Sequence, residues 1–159
     1  MVVKKSDYIN HKISMEEFIM NNHNNYIIFR LPIVVGVCNN KNTFFNNIRN
    51  KILNKEKINI HNNLTRHLID IDDISAILPN IIDSDSKNFT IDVCFDNRLN
   101  ILDIVNIMEL ILKTKCDKTI EYSEYSNKKI DNSKFIEKLK LYGFDEDIDY
   151  TEKILRKYL

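Results

Sequence analysis

Residues 8 to 37, YINHKISMEEFIMNNHNNYIIFRLPIVVGV, are the part of the sequence that decides the fold. From residue 7 to residue 22, apolar side chains recur at roughly helical spacing among charged residues, and the segment closes on a pair of asparagines. This pattern predicts a helix. From Tyr26 to Val37 the chain is a continuous β-branched and apolar run, which is typical of a strand buried on both faces. A helix followed by a buried strand indicates an α/β layer.

The alternation of helix and strand patterns continues to the end of the sequence. Further helices are predicted for residues 43–56, 72–83, 99–113, 131–140 and 149–159, and further strands for residues 57–61, 66–71, 89–95 and 118–123. No internal repeat and no linker rich in Gly, Pro or Ser marks a domain boundary, so we expect residues 1–159 to form a single unit. The expected fold class is α/β.

Polar residues and one glycine mark the ends of three predicted helices. Asp72 or Asp73 can cap the helix over residues 72–83, and Asn100 can cap the strongly apolar helix after it. Asp131 can accept hydrogen bonds from the amides that follow it, and Gly143 can supply the left-handed residue that ends the next helix.

The composition is that of a folded chain without a phosphate-binding loop. A chain of 159 residues is long enough for one domain that buries roughly 70% of its unfolded surface. The fractions of 43% apolar and 29% charged residues argue against a mainly disordered protein. Glycine occurs only twice, so neither common glycine-rich nucleotide cradle can be formed from this sequence.

Charge, hydropathy and cysteine content exclude several further classes. The 23 basic residues are balanced by 23 acidic ones, which removes the basic footprint of a nucleic-acid-binding protein. The apolar runs are shorter than the ~20 residues of a membrane span, so we expect no membrane partner. Three widely spaced cysteines and a start without a signal-peptide core predict a protein of the reducing cytoplasm.

The motif with the most chemistry is the pair Tyr8 and Lys12. A spacing of four residues puts the phenol and the ammonium on one face of a helix, one turn apart. A nearby cation favours the phenolate, so Tyr8 is a candidate general acid or base. The alternative is an ordinary solvated helix surface, and a second pair at this spacing, Tyr125 and Lys129, shows that the spacing alone is weak.

An ordered series of motifs surrounds this pair and resembles the extended short-chain dehydrogenase/reductase family of nucleotide-sugar epimerases, dehydratases and reductases. The family's tyrosine–lysine helix is followed by a strand of the form R-x-P-x-V-Y-G-P, then by an arginine leading into V-x-D-(V/L)-A, and it closes on D-x-S-K-x-x-x-x-L-G-F. The matching positions are Arg30, Pro32, Val34, Gly36, Arg66, Ile71, Asp73 and Ala76, followed by the segment IDNSKFIEKLKLYGFDED. Val35 and Val37 depart from the pattern, because the family carries tyrosine and proline there.

The resemblance implies a fold and a missing part. It implies the C-terminal part of a Rossmann-like enzyme with its small substrate-binding lobe, lacking the N-terminal dinucleotide-binding half. Residues 1–40 would be the end of the Rossmann-like sheet, and residues 41–159 would be mainly the substrate-binding lobe. The implied partners are a nucleotide sugar and either the missing half or a second copy of the chain. The implied cofactor is NAD or NADP, which this chain alone would bind poorly.

The resemblance also implies roles for four residues. Tyr8 would be the catalytic acid or base, and Lys12 its partner and a ligand of the cofactor ribose. Pro32 would lie near the nicotinamide. Arg66 would grip the diphosphate of the nucleotide sugar, a role suited to a bidentate guanidinium; the alternative for Arg66 is a surface ion pair with a nearby acid among residues 70–73.

Other constellations predict no site. The acids at positions 70, 72 and 73 are explained by a strand that runs into a helix cap, and the histidines and cysteines lack metal-ligand spacing, so we expect no metal. Two rival functions remain open beside the enzyme portion. One is a non-catalytic protein that binds a sugar nucleotide or dimerises, and the other is the remnant of a broken gene.

Overall fold

A computed structural model describes residues 7–84, 87–122, 127, 130–145 and 147–159. Helices and strands alternate along the chain, which gives the α/β class that the sequence predicts. The elements are α1 (Asp7–Asn22), β1 (Ile27–Arg30), β2 (Ile33–Val35), α2 (Phe44–Leu53), β3 (Ile58–His61), β4 (Thr65–Asp70), α3 (Ile71–Ile82), β5 (Phe89–Asp92), β6 (Arg98–Asn100), α4 (Ile101–Leu112), β7 (Lys118–Glu121), α5 (Ser133–Leu141) and α6 (Tyr150–Tyr158).

The prediction of one continuous strand from Tyr26 to Val37 is wrong, because the run breaks at Leu31 and Pro32. Proline has no amide hydrogen to give to a ladder, and it restricts the backbone of the residue before it. The two pieces join different sheets. β1 lies parallel to β5, and β2 lies parallel to β4.

The described strands form three small sheets. β1 and β5 make a two-stranded sheet, and β3 and β7 make another, also parallel. In the third sheet β4 lies in the middle, parallel to β2 on one side and antiparallel to β6 on the other. The chain therefore crosses from the first sheet to the third at the break between β1 and β2.

The predicted strand over residues 89–95 is also shorter in the structure. β5 ends at Asp92, although Val93, Cys94 and Phe95 are buried. The amide of Val93 donates to the carbonyl of Arg30 at 2.9 Å, and Arg30 is the last residue of β1. β5 ends there because its partner strand turns away at Leu31.

The core lies between the sheets and the helices α2, α3 and α4. Its fully buried aliphatic side chains come from strands and helices alike, as the apolar sequence runs predict; they include Ile52, Ile60, Leu68, Ile69, Ile77, Ile81, Ile104 and Met108. α4 is strongly apolar but spans only 12 residues. No helix within the described ranges is long and apolar enough to cross a bilayer.

Three predicted helix boundaries are confirmed, and one is wrong. Asn100 caps α4 by accepting from the amide of Leu102, Asp131 accepts from the amide of Ser133, and Gly143 adopts a φ of 73° after α5. The cap of α3 is neither Asp72 nor Asp73 but Asp70, whose carboxylate accepts from the amide of Asp72 at 2.9 Å. The helix begins at Ile71, one residue before the predicted start.

Gly36, which follows β2, is required by a close approach. A Cβ at this position would lie 2.6 Å from Cγ2 of Ile71, at the start of α3. A side chain would therefore push β2 away from α3.

Asp70 also holds the C-terminal helix against the third sheet. Its carboxylate accepts hydrogen bonds from the Lys157 ammonium at 2.7 Å and from the Tyr158 hydroxyl at 2.6 Å. From the other end of α6, the Tyr150 hydroxyl accepts from the amide of Asp70 at 3.1 Å and donates to the Asp73 carboxylate at 2.5 Å. One buried carboxylate thus links β4, α3 and α6.

The charge state of Asp70 follows from these contacts. Burial alone would raise its pKa, but the hydrogen bonds from Lys157, Tyr158 and the amide of Asp72 outweigh burial and hold the pKa below its usual value. Burial raises the pKa of Tyr150 strongly, and the Asp73 carboxylate beside it acts in the same direction. The network therefore consists of an ionised Asp70 and neutral tyrosines at neutral pH.

Asp70→Asn should lower stability in a pH-dependent way. Asparagine caps helices as well as aspartate does, so the change removes the buried charge and keeps the cap. We expect the free energy of unfolding at pH 7 to fall by about 1–3 kcal/mol. Because the pKa of Asp70 is lowered in the folded chain, its stabilising effect is lost as the pH falls; the deficit of the variant, measured by urea unfolding, should shrink between about pH 5 and pH 2.

Asp72→Asn is the matched control. Asp72 also pairs with Lys157, but its side chain is 70% exposed, so we expect a loss of less than about 0.5 kcal/mol. Equal losses for the two variants, or a deficit of Asp70→Asn that stays constant with pH, would contradict the role given to Asp70.

Candidate functional site

A cavity of about 450 Å³ opens where the chain breaks between β1 and β2. One wall is α1 from Tyr8 to Glu16, and the other is the end of β1 with the two residues of the break. The lining residues are Tyr8, Lys12, Glu16, Phe29, Arg30, Leu31 and Pro32. We call this the tyrosine cavity.

Tyr8 and Lys12 lie side by side on α1, as their spacing predicts. The Lys12 ammonium is 5.5 Å from the centre of the Tyr8 ring, within the range of a cation–π contact. Tyr8 is 69% exposed, so its hydroxyl is accessible to a ligand. The arrangement gives a phenol and a cation at the rim of one cavity.

Glu16 and Arg30 fix α1 beside this cavity. Nε and Nη2 of Arg30 both donate to the Glu16 carboxylate, with the shortest distance 2.5 Å. The hydrogen bond from Arg30 is the main reason that the pKa of Glu16 is lowered. α1 contains no buried residue, so this bidentate pair is a principal link between the helix and β1.

Asp92 is a third member of this group. Its carboxylate lies 4.0 Å from Nη1 of Arg30, at the end of β5. Burial raises the pKa of Asp92, against the opposing effect of Arg30. The end of β5 is therefore tied to the end of β1 by charge as well as by the strand ladder, and Arg30 in turn ties the end of β1 to α1.

A second cavity, of about 430 Å³, lies on the far side of Pro32. Leu31 and Pro32 line both cavities, so the two cavities adjoin at the break, and we call the pair of them the cleft. The remaining lining comes from the ends of β2, β4 and β6 and from Ile130, and includes Ile33, Thr65, Arg66, His67 and Arg98. We call this the arginine cavity.

Arg66 makes no ion pair within the described part of the chain. Its Nη1 donates to the carbonyl of Thr65 at 2.9 Å. The acids proposed as alternative partners lie at the other end of β4 and at the start of α3, where they contact Lys157, Tyr158 and Tyr150. The alternative of a surface ion pair for Arg66 is therefore wrong.

The cleft brings together the four residues that the sequence singled out. Tyr8, Lys12 and Pro32 line the tyrosine cavity, and Pro32 and Arg66 line the arginine cavity. The second tyrosine–lysine pair, Tyr125 and Lys129, lies outside the described residues.

Sequence reasoning missed three further residues of the cleft, Glu16, His67 and Arg98. Glu16 stands on the same helical face as Lys12, and this spacing was its only signal. His67 and Arg98 face each other across β4 and β6. Nothing local in the sequence indicates which strands pair, so these two could not be placed.

A larger cavity of about 600 Å³ lies elsewhere, at the end of α4. Its buried acid, Glu109, accepts from the Lys118 ammonium at 2.6 Å and from the amide of Cys116 at 2.9 Å. Burial raises the pKa of the Cys116 thiol to about 11, so this thiol is a poor nucleophile. The Cys116 thiol donates to the Glu109 carboxylate, which also accepts from Lys118. These groups therefore satisfy one another, as is typical of a cluster with a structural role.

All three cysteines are free. Among the residues that the structure covers, no group of three or more histidine, cysteine, aspartate or glutamate side chains could hold a metal ion.

Comparison with known proteins gives a match by fold and none by sequence. No family model matches the chain, and no curated protein matches it. Among solved structures, UDP-N-acetylglucosamine 4-epimerase from Methanobrevibacter ruminantium, in complex with UDP-N-acetylmuramic acid, matches with a TM-score of 0.69 and 19% identity over 94% of this chain and 50% of that one.

Two bacterial enzymes give similar results. dTDP-glucose 4,6-dehydratase from Bacillus anthracis, in complex with NAD, matches with a TM-score of 0.74 and 11% identity over 99% of this chain and 53% of that one. dTDP-4-dehydrorhamnose reductase from the same organism, in complex with NADP, matches with a TM-score of 0.71 and 18% identity over 95% of this chain and 53% of that one.

These matches confirm the resemblance at the level of the fold. The chain has the fold of about half of an extended short-chain dehydrogenase/reductase of the nucleotide-sugar epimerase and dehydratase kind. It spans about half the length of the solved structures that it matches.

Glu16→Gln should loosen α1 without unfolding the protein. The change removes the charge that Arg30 contacts through two nitrogens. We expect the amides of α1 to exchange with deuterium about twofold to fivefold faster, as for the loss of a partly exposed ion pair. The increase should become smaller in 1 M salt, since salt screens the pair in the wild type.

Glu17→Gln provides the control, because Glu17 is exposed and makes no ion pair with any described residue. Exchange in α1 that is equally fast in both variants would contradict the role of the Glu16–Arg30 pair.

Proposed function

We propose that this chain is the C-terminal, substrate-binding portion of an NAD(P)-dependent nucleotide-sugar epimerase, dehydratase or reductase. The observation that carries the proposal is that two cavities adjoin at Pro32, with Tyr8 and Lys12 lining one and Arg66 lining the other. A ligand with a sugar at one end and a diphosphate at the other fits this order of groups. Solved structures of the same fold hold UDP-sugars, NAD and NADP.

The proposed division of the chain lies a few residues after the break. Residues 1–40 would complete a Rossmann-like sheet through α1 and β1, and residues 41–159 would form mainly the substrate-binding lobe. β5 lies within the second segment but pairs in parallel with β1, so β5 would be the part of that segment that belongs to the Rossmann-like sheet.

In the proposed reaction Tyr8 transfers the proton of a sugar hydroxyl. Tyr8 is exposed at the tyrosine cavity, and the Lys12 ammonium lies 5.5 Å from the centre of its ring. Arg66 binds the sugar nucleotide at its diphosphate, which keeps the sugar at Tyr8. Pro32, between the two, forms the wall against which the nicotinamide and the sugar would meet.

The cofactor fits this chain only in part. Tyr8 and Lys12 offer a hydroxyl and an ammonium for a ribose, and a bound nicotinamide dinucleotide supplies hydride exchange with a sugar carbon. The sequence offers no glycine-rich loop for the pyrophosphate of the dinucleotide, since its two glycines, Gly36 and Gly143, lie far apart along the chain. We therefore propose that this chain alone is inactive and that a further polypeptide segment supplies the pyrophosphate contacts.

A second candidate is a non-catalytic protein that binds a sugar nucleotide or pairs with another chain. The surface of α1 supports it, because Ile9, Met15, Phe18 and Met20 are each more than 40% exposed. Met15 and Phe18 lie on one side of the helix, and Ile9 and Met20 lie on the other. Exposed apolar side chains of this kind are typical of an interface.

Titration calorimetry of the isolated chain with UDP-, GDP- and dTDP-sugars tests the shared part of both candidates. We expect one of the three to bind, and Arg66→Gln to weaken its binding about tenfold or more, since a charge-assisted contact to phosphate is lost. Arg156→Gln is the matched control, because Arg156 pairs with Glu152 on the outer face of α6. Absence of binding by all three compounds would contradict the proposed function.

Tyr8→Phe distinguishes the enzyme from the non-catalytic alternative. In a complex or fusion with a dinucleotide-binding half, we expect turnover to fall by about 10²–10⁴-fold, the usual contribution of a general acid or base. Binding of the sugar nucleotide should be nearly unchanged. Turnover close to that of the wild type would contradict the role of Tyr8, and so would a loss that comes from weaker binding alone.

A further inference from the structure

Arg98 occupies a position in the cleft that no motif of the sequence marks. It is the first residue of β6, and it lies directly opposite His67 of β4 in the antiparallel ladder. Residues opposite each other in such a ladder point to the same face of the sheet. Both side chains line the arginine cavity and also an adjoining cavity of about 260 Å³ that contains Asp96 and Asn132.

The backbone that carries Arg98 is fixed on both sides. Before it, the Asn97 side chain donates to the carbonyl of Ile148 and accepts from the Thr151 hydroxyl at 2.8 Å. After it, Asn100 caps α4 and donates to the carbonyl of Asn62. Because the backbone on both sides of Arg98 is already fixed, little backbone freedom is lost when its side chain binds a ligand.

Arg98 is an exposed residue, and its guanidinium makes no ion pair with a described residue. In this it resembles Arg66 and differs from Arg30 and Arg156, which both contact glutamates. Arg66 starts on the opposite face of β4 from His67, but its side chain folds along the strand to the Thr65 carbonyl and reaches the same cavity. Two guanidinium groups therefore line one cavity from neighbouring strands.

The described polar groups around Arg98 give the cavity a net positive charge. Nδ1 of His67 lies 3.0 Å from the carbonyl of Phe95, so this nitrogen is the donor of the contact. The Asp96 carboxylate, in the adjoining cavity, accepts from the side-chain amide of Asn132 at 2.8 Å. Among the described residues that line the two cavities, this one carboxylate stands against two guanidinium groups.

We propose that Arg98 is a second arginine that binds the diphosphate of the ligand, together with Arg66. A diphosphate carries two anionic groups, and each can accept a bidentate contact from one guanidinium. The inference rests on the proposed function, because it takes the arginine cavity as the site for the diphosphate.

Binding of UDP, dTDP, GDP and uridine to the wild type and to Arg98→Gln, Arg98→Lys, Arg66→Gln and Arg156→Gln tests this inference. We expect Arg98→Gln to weaken binding of the preferred diphosphate about tenfold or more and to leave uridine binding unchanged. Arg98→Lys should restore only part of the affinity, because lysine keeps the charge and loses the fork. Equal melting temperatures would show that the exposed substitutions leave the fold intact.

The outcomes separate the two proposals. If Arg66→Gln weakens diphosphate binding and Arg98→Gln behaves like Arg156→Gln, the role of Arg98 is overturned and the proposed function stands. If the wild type binds none of the three diphosphates at millimolar concentration, both are overturned.

Discussion

Pro32 lacks an amide hydrogen, and so the chain cannot carry the ladder of β1 straight into β2. β1 ends at Arg30, its partner β5 ends with it, and the chain enters a different sheet through Leu31 and Pro32. The space opened by this change of sheet is the cleft, with Pro32 on the boundary between its two cavities. The position of every candidate residue depends on this break.

The two sides of the cleft are held with different firmness. The arginine side stands on β4, which is buried at its end and is linked through Asp70 to α3 and α6. The tyrosine side stands on α1, which buries no residue and depends on the Glu16–Arg30 pair.

Much of the fold could be predicted because periodicity and caps are local signals. The helical spacing over residues 7–22, the Asn100 cap and the glycine at position 143 each depend on a few neighbouring residues. The strand break was missed although Pro32 was visible, because the apolar run continues through it. Asp70 was missed as the cap of α3 because three acids stand close together and only the structure shows that the helix begins at Ile71. Tyr8 and Lys12 were proposed from their spacing and, with Pro32 and Arg66, from a family pattern, whereas Arg98 depends on the pairing of two distant strands.

The most direct test of the proposed binding cleft is a map of where a nucleoside diphosphate contacts the chain. Titration of ¹⁵N-labelled protein with UDP, dTDP or GDP, followed by amide and guanidinium resonances, gives this map. If the arginine cavity binds the diphosphate, the shifts should cluster at Leu31, Ile33, Arg66 and Arg98, on the arginine side of the break. Shifts concentrated around Lys113 and Lys115, in the larger cavity at the end of α4, would contradict it, and so would a spectrum unchanged by all three compounds.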